Sequence, residues 1–306
     1  MREPDRRTVL VALWRMSRPA QLALIALVYA LGVAMAVGRG ATVDPADVGL
    51  GLAALVPVAA SVHYANEYAD AETDAITDRT AFSGGSGALS ETGLPRRLAL
   101  RAALASAAIG PLPLAWAASP LGRRPLSAVH AVLLGGVLVV GWQYSVGPLR
   151  LAWRGLGEVT NAALGGVVLP LYGFAVAADG VTVAAALATV PFALVVFVNL
   201  LETQWPDRRA DAAVGKRTLA TRWSPRRLRA VYGLASLAAA GSAVALGGRV
   251  LPSVVTVGTL VPMVGLVPGY HRFTRREEPL PAVATMVVTA ATTTVAWGAV
   301  AAGFAG

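Results

Sequence analysis

The residues best suited to chemistry in this chain are aspartates spaced four apart. The run NEYADAETD sets Asn66, Asp70 and Asp74 at i, i+4 and i+8, and Asp78 continues the interval. On a helix such positions share a face, so an amide oxygen and two carboxylates point the same way while Glu67 and Glu72 lie on other faces. A second run, NLLETQWPDRRADAAVGKRTLATR, again places two aspartates four apart, Asp207 and Asp211. Facing carboxylates suit a hard cation, since Mg²⁺ takes oxygen ligands and is held by one or two carboxylates plus substrate phosphates. Histidine does not supply such a site, because the chain has only His63, His130 and His271. Two acidic clusters bracketed by Arg and Lys fit a metal-bridged diphosphate, with the surrounding cations completing the cradle. Either cluster alone reads equally well as a solvated helix end whose acids balance nearby arginines. Two clusters together favour the site.

Other residues carry weaker signals. Lys216 is the one lysine among 26 basic residues. Its retention among arginines points either to a compact ammonium wanted on a phosphate or to chance. The tract SGGSG from Ser83 forms either a backbone nest for an anion or a flexible linker, and the linker is the plainer reading. His63, one helical turn before Asn66, reads as a packed interior histidine before it reads as a base. Trp142, Trp153, Trp205 and Trp223 read as interfacial belt residues first and as substrate-stacking residues second.

The elements that must position these residues are membrane helices. The 306 residues are 56% hydrophobic and only 14% charged, with a mean hydropathy of +0.60. A soluble chain of this length needs far more polar surface. Apolar runs of about 20 residues, the length that crosses the hydrocarbon, fall at roughly 20–38, 48–65, 98–117, 126–144, 156–176, 181–202, 228–247, 251–269 and 281–304. They lack the alternation of a barrel, so the spans are expected to be helices, which satisfy their own backbone in lipid. Residues 1–19 read as a short amphipathic helix on the membrane surface, since Trp14, Arg15 and Arg18 interrupt any signal-peptide core. Without cysteine, disulfides and thiolate metal sites are excluded.

The linkers alternate in charge. With the N-terminus in the cytoplasm, 22 of the 26 basic residues fall on the inside, and only Arg39, Arg123, Arg124 and Arg249 fall outside. This bias predicts nine spans with the N-terminus in and the C-terminus out. It also accounts for the net charge of +9 without nucleic acid. The two long inside linkers, 66–97 and 203–227, each carry one acidic cluster. Pro206 restricts Trp205, so the sixth span is expected to end or kink there. The expectation is a single all-α domain over residues 1–306, with about nine transmembrane helices around a central cavity that opens to the cytoplasm and the two linkers capping it.

In these residues the chain resembles the UbiA superfamily of intramembrane aromatic prenyltransferases. Asn66, Asp70 and Asp74 match its N-x-x-x-D-x-x-x-D motif. Asp207, Asp211 and GKRTL from Gly215 match its second motif. FSGGSG and YSVGPLRLAWRGLGE are also similar, and the likeness runs in order over nearly the whole chain. A departure falls before the second aspartate pair, where many members carry Asn or Asp. Here Glu202, Thr203 and Gln204 precede Trp205, with Glu202 a further carboxylate and Gln204 an amide oxygen.

The resemblance implies Mg²⁺-dependent transfer of a polyprenyl group from its diphosphate to a lipophilic or aromatic acceptor, such as the quinone precursor dihydroxynaphthoate. Asn66, Asp70, Asp74, Asp207 and Asp211 would hold metal, and the four aspartates would be catalytic. Lys216, Arg150, Tyr144 and Arg18 would contact the diphosphate. For Tyr144 and Arg150 the plain alternative is an interfacial aromatic beside a positive-inside arginine, and Arg18 carries the same ambiguity. The expected setting is the cytoplasmic membrane, with the N-terminus and site on the cytoplasmic side and the prenyl tail in lipid. A terpene cyclase of the same superfamily would ionise the same donor and quench the cation internally. A transporter is expected to place ionisable or broken-helix features at midplane, whereas these acids lie at one interface.

Overall fold

The computed structural model describes residues 5–77, 79–80, 84–119, 122 and 127–304. Asp78, Ser83, Arg123 and Arg124, used above, lie outside them. Among the described residues the chain is helical, with no strand beyond an isolated bridge between Gly247 and Leu251. Among the same residues nine helices are long and apolar enough to cross a membrane: Pro19–Gly38, Pro45–Ala69, Arg97–Ala117, Ala128–Ser145, Gly157–Ala178, Val183–Thr203, Pro225–Leu246, Ser253–Arg272 and Leu280–Ala301.

Each expected span is present, and the differences are at the ends. The second span runs on to Ala69, so Asn66 and Glu67 belong to the helix rather than to the following linker. The seventh begins at Pro225, where the Ser224 hydroxyl caps the Arg227 amide and proline takes the first helical position. Three spans change winding midway. The third breaks between Ile109 and Leu112, at Pro111. The fifth widens to a π-turn over Leu164–Val168, and the eighth tightens to a 3₁₀ turn over Val261–Gly265.

The centre of the bundle is the first span against the fifth and ninth. Small residues allow backbones to approach closely, as lipid-embedded helices require. A Cβ on Gly32 would lie 1.8 Å from the Pro170 carbonyl oxygen, and one on Gly173 would lie 2.1 Å from that of Tyr29. The Tyr29 and Tyr172 hydroxyls donate to the backbone carbonyls of Val48 and Gly51, at 2.9 and 3.0 Å.

The amphipathic helix Arg6–Met16 buries Ala12 and Met16 and exposes Leu10, Val11 and Trp14. Ala12 and Met16 pack with Ala88, Leu94 and Ala99, a small cluster separate from the main core. Pro19 disfavours right-handed helix at Arg18. Arg18 takes a left-handed conformation, φ 54°, and the chain turns there into the first span.

Candidate active site

The first acidic run sits where the second span gives out. Its helix stops at Ala69, Asp70 caps it, and a short helix Ala71–Asp74 follows. The rise is not lost across the break, since the Asp70 amide donates to Asn66 O and the Asp74 amide to Asp70 O, both at 2.8 Å. The expected helical face therefore survives in a helix that changes direction at its middle member.

The second run follows the sixth span, which ends at Thr203, two residues before the expected break. Asp207 starts a short helix, Arg208–Ala213, and Asp211 lies within it. That helix closes with the left-handed Gly215, φ 79°. The Lys216 amide reaches back to Asp211 O at 2.8 Å and the Gly215 amide to Ala212 O at 3.1 Å. This is the paired hydrogen-bond pattern of a Schellman cap, which glycine enters without a Cβ penalty. The cap folds Lys216 back over its own helix.

There Lys216 joins the two runs. Its Nζ lies 3.4 Å from Asp70 Oδ1 and 3.4 Å from Asp211 Oδ1. The helices Ala71–Asp74 and Arg208–Ala213 pack against each other. Arg217 donates its amide to Trp153 O at 3.2 Å, and Leu219 donates to Glu158 Oε1 at 2.7 Å. Both bonds tie GKRTL to the linker and helix that open the fifth span. The Tyr144 hydroxyl is among the groups acting on Lys216.

Charge is concentrated and desolvated here. Burial pushes the Asp74 carboxyl up to about 7; Glu67 and Asp70 add to the rise, and Arg18 and Lys216 oppose it. Burial likewise raises Asp211, to about 6, against the pull of Lys216. Burial works against the Lys216 ammonium, but Asp70 and Asp211 outweigh it and raise its pKa.

The other candidate residues find these surroundings: Glu202 and Trp205 depart from expectation, and His63 is interior as expected. Arg18 is ion-paired with Glu67 at 2.6 Å, with Asp70 and Asp74 also within its field. Arg150 is exposed and sits over the Trp153 ring, 4.0 Å from its centroid. Glu202 does not join the second acidic run. It lies 3% exposed and accepts from the Tyr232 hydroxyl of the seventh span at 3.2 Å. Five residues before Asp207, it falls on a different helical face. Trp205 is interior rather than interfacial: it is 7% exposed, with its ring against Phe273. His63 is packed inside, its Nδ1 donating to Ser17 O at 2.8 Å.

Sequence reasoning missed Glu67, Glu158 and Asn199. Asn199 stands eight before Asp207 and four before Thr203, so the same four-residue interval extends the second run upstream. Glu67, expected on another face, shares one with Asp70 and Asp74 at i, i+3 and i+7 and lines a crevice with Asp74. Glu158 carries no periodic signal and was legible only as an acid in an apolar chain.

The oxygens present fit a hard cation. Among the described residues, the side-chain oxygens Asn66 Oδ1, Gln204 Oε1 and Asn199 Oδ1 are buried without a hydrogen-bond partner. Asp70 Oδ1 has only its ion pair with Lys216. Among the described residues no three His, Cys, Asp or Glu side chains gather tightly enough to hold a metal by themselves. A cation here would need amide and substrate oxygens as well as carboxylates, which is how Mg²⁺ is ordinarily bound.

Among the described residues, nine membrane-length helices and a buried, mixed-charge site define a polytopic membrane protein. The family comparison agrees: residues 25–291 match the UbiA prenyltransferase family, and the chain belongs to it. Comparison with curated proteins finds no match. Among solved structures, a UbiA homolog from Archaeoglobus fulgidus bound to GPP and Mg²⁺ is similar in fold, with TM-score 0.70, 17% identity, and 95% of this chain and 99% of that one covered. A UbiA homolog from Aeropyrum pernix K1 gives TM-score 0.66 at 17% identity, covering 91% of this chain and 96% of that one. A structure described for digeranylgeranylglyceryl phosphate synthase gives 0.66 at 11% identity, covering 96% and 98%.

Proposed function

We propose that this chain transfers a prenyl group from a prenyl diphosphate to a lipophilic or aromatic acceptor, with Mg²⁺, at the site built from Asn66, Asp70, Asp74, Asp207 and Asp211. The observation that carries the reading is Lys216, which bridges the two aspartate runs at 3.4 Å to each. The Archaeoglobus homolog bound to GPP and Mg²⁺ supports the donor class and the ion. For the acceptor we favour a quinone precursor such as a dihydroxynaphthoate. The chain works as one transmembrane domain, with its N-terminus and site at the cytoplasmic face of the cell membrane.

The aspartates of both runs and Asn66 would hold Mg²⁺. Bound there, the ion would offset the charge of carboxylates and diphosphate together and favour the leaving group. The chain's own residues do the rest. Lys216 presents an ammonium between Asp70 and Asp211, where charge on the departing diphosphate grows, and the Tyr144 hydroxyl lies within its field. Arg150 offers a further cation at the rim. As the C–O bond breaks, the bonding pair leaves with the diphosphate and an allylic cation remains. The acceptor then supplies the electron pair of the new bond and loses a proton. The surrounding apolar spans keep water from quenching the cation.

Purified protein should convert a prenyl diphosphate and an aromatic acceptor to a prenylated product and free diphosphate, with products identified by mass. Diphosphate release without any need for acceptor would point to the cyclase reaction. No release from prenyl diphosphates of several lengths would overturn the reading.

A further inference from the structure

Glu67 stands just before the aspartates in sequence and shares a crevice with Asp74, and it is only 2% exposed. Its carboxylate accepts four hydrogen bonds. Arg18 gives two to Oε1, from Nε at 3.0 Å and Nη2 at 2.6 Å. Ser86 gives its amide to Oε1 at 2.9 Å and its hydroxyl to Oε2 at 2.6 Å. These donors come from two distant places, the left-handed break before the first span and the glycine loop after the first acidic run.

That loop touches both runs. The Gly84 amide donates to Asp207 Oδ2 at 3.3 Å. Gly85, φ 65°, lies so close to Asp74 that a Cβ would come within 1.9 Å of Oδ2. Glu67, Ala71 and Asp74 line one crevice with Gly87, Leu89 and Ser90. The Ser86 carbonyl also accepts from Arg15 at 2.9 Å and from Arg79 at 2.6 Å. The loop is thus tied down on both sides, and Glu67 is a fully buried anchor for it.

We propose that Glu67 is a positioning residue of the diphosphate site: its carboxylate fixes Arg18 and the 84–87 loop together, so that the loop spans the two aspartate runs. This rests on the prenyl diphosphate reading above. A carboxylate with four donors has a defined place for each, and a bidentate arginine restricts the angle as well as the distance. Glu67→Gln keeps the shape but offers Arg18 a neutral acceptor and faces the Ser86 donors with an amide group. The loop is then free to open, and substrate binding weakens before the chemistry does.

The native chain has no cysteine, so Ala88→Cys gives a single thiol at a loop-flanking position that is fully buried. In this background Glu67→Gln should speed thiol labelling about tenfold, as local opening becomes easier. With geranyl diphosphate as donor it should raise KM about tenfold while kcat stays within about threefold. Glu67→Asp should recover most of both effects. An unchanged labelling rate in folded Glu67→Gln overturns the proposal whatever the kinetics, and so does a fall in kcat with KM unchanged. If Glu67→Gln does not fold, Ser86→Ala carries the test: it removes one bond, and equal labelling with and without it overturns the clamp. If the Ala88→Cys chain alone turns over no prenyl diphosphate, the functional reading fails, while the labelling comparison still decides the clamp.

Discussion

Two aspartates from different runs facing one lysine make a specific demand on mutants. Asp70→Asn and Asp207→Asn each keep shape and remove a charge. If both runs grip one diphosphate, each should lower turnover by roughly 10²–10³, the range for losing one preorganised charge partner. The double variant should be little worse than the worse single, because residues acting as a unit are not additive. Steady-state kinetics on protein shown to be folded by thermal unfolding in detergent decides this, and near-normal turnover in both folded singles rules the assignment out. Lys216→Met asks the complementary question. It leaves Asp70 and Asp211 without their shared cation. We expect kcat/KM for the donor to fall at least about tenfold; a value equal to wild type would remove Lys216 from the diphosphate site.

At the level of elements, glycines separate stability from activity. Gly32 lets the first span meet the fifth backbone to backbone, and a Cβ there has no flexible side chain to push aside. Gly32→Ala should cost about 1–3 kcal/mol or more, as overpacking of a tight core does. Gly49, with open space around its Cβ position, is the control and should change stability little. Gly215 works differently. It is exposed, and no atom lies within 4 Å of where its Cβ would be, but its φ of 79° makes the Schellman turn that returns Lys216 to Asp211. Gly215→Ala should cost only about 1 kcal/mol of stability, yet reduce kcat/KM severalfold through the displaced lysine. Thermal unfolding and kinetics on the same preparations test both, and a Gly215→Ala enzyme with full activity would detach the cap from function.

For the molecule as a whole, the charge bias predicts that both acidic linkers share one side of the membrane, the cytoplasmic one in the proposed orientation. Ser90→Cys and Ala213→Cys, both at exposed positions, should label from the same side of the membrane, and Arg249→Cys should label from the other. Labelling of Ser90→Cys and Ala213→Cys from opposite sides breaks the nine-span topology. Metal dependence is likewise a property of the assembled site. Chelation should abolish prenyl transfer and Mg²⁺ should restore it, because unscreened carboxylates repel the diphosphate. Full turnover in excess chelator contradicts the proposed role of the ion.

Length and hydropathy alone determined the nine spans of this protein, because lipid leaves a chain no other way to satisfy its backbone. The interval of four determined which aspartates share a face, and helical geometry kept that promise across the break at Asp70. Proline marked where the sixth span turns, within two residues at Trp205–Pro206. The tertiary structure alone decided which side chains meet. The pairing of Lys216 with Asp70 joins residues 146 apart, and that of Arg18 with Glu67 joins residues 49 apart. Neither follows from any local period, since both depend on how separate spans stack. Arg18 and Arg150 looked alike in the sequence, yet one is held by a buried carboxylate and the other, itself exposed, lies over the half-buried indole of Trp153. Glu202 looked like a partner for Asp207 and instead faces Tyr232. A side chain's charge is written in the sequence, but its counter-charge is chosen by packing, because a buried ion must find a partner wherever the fold provides one.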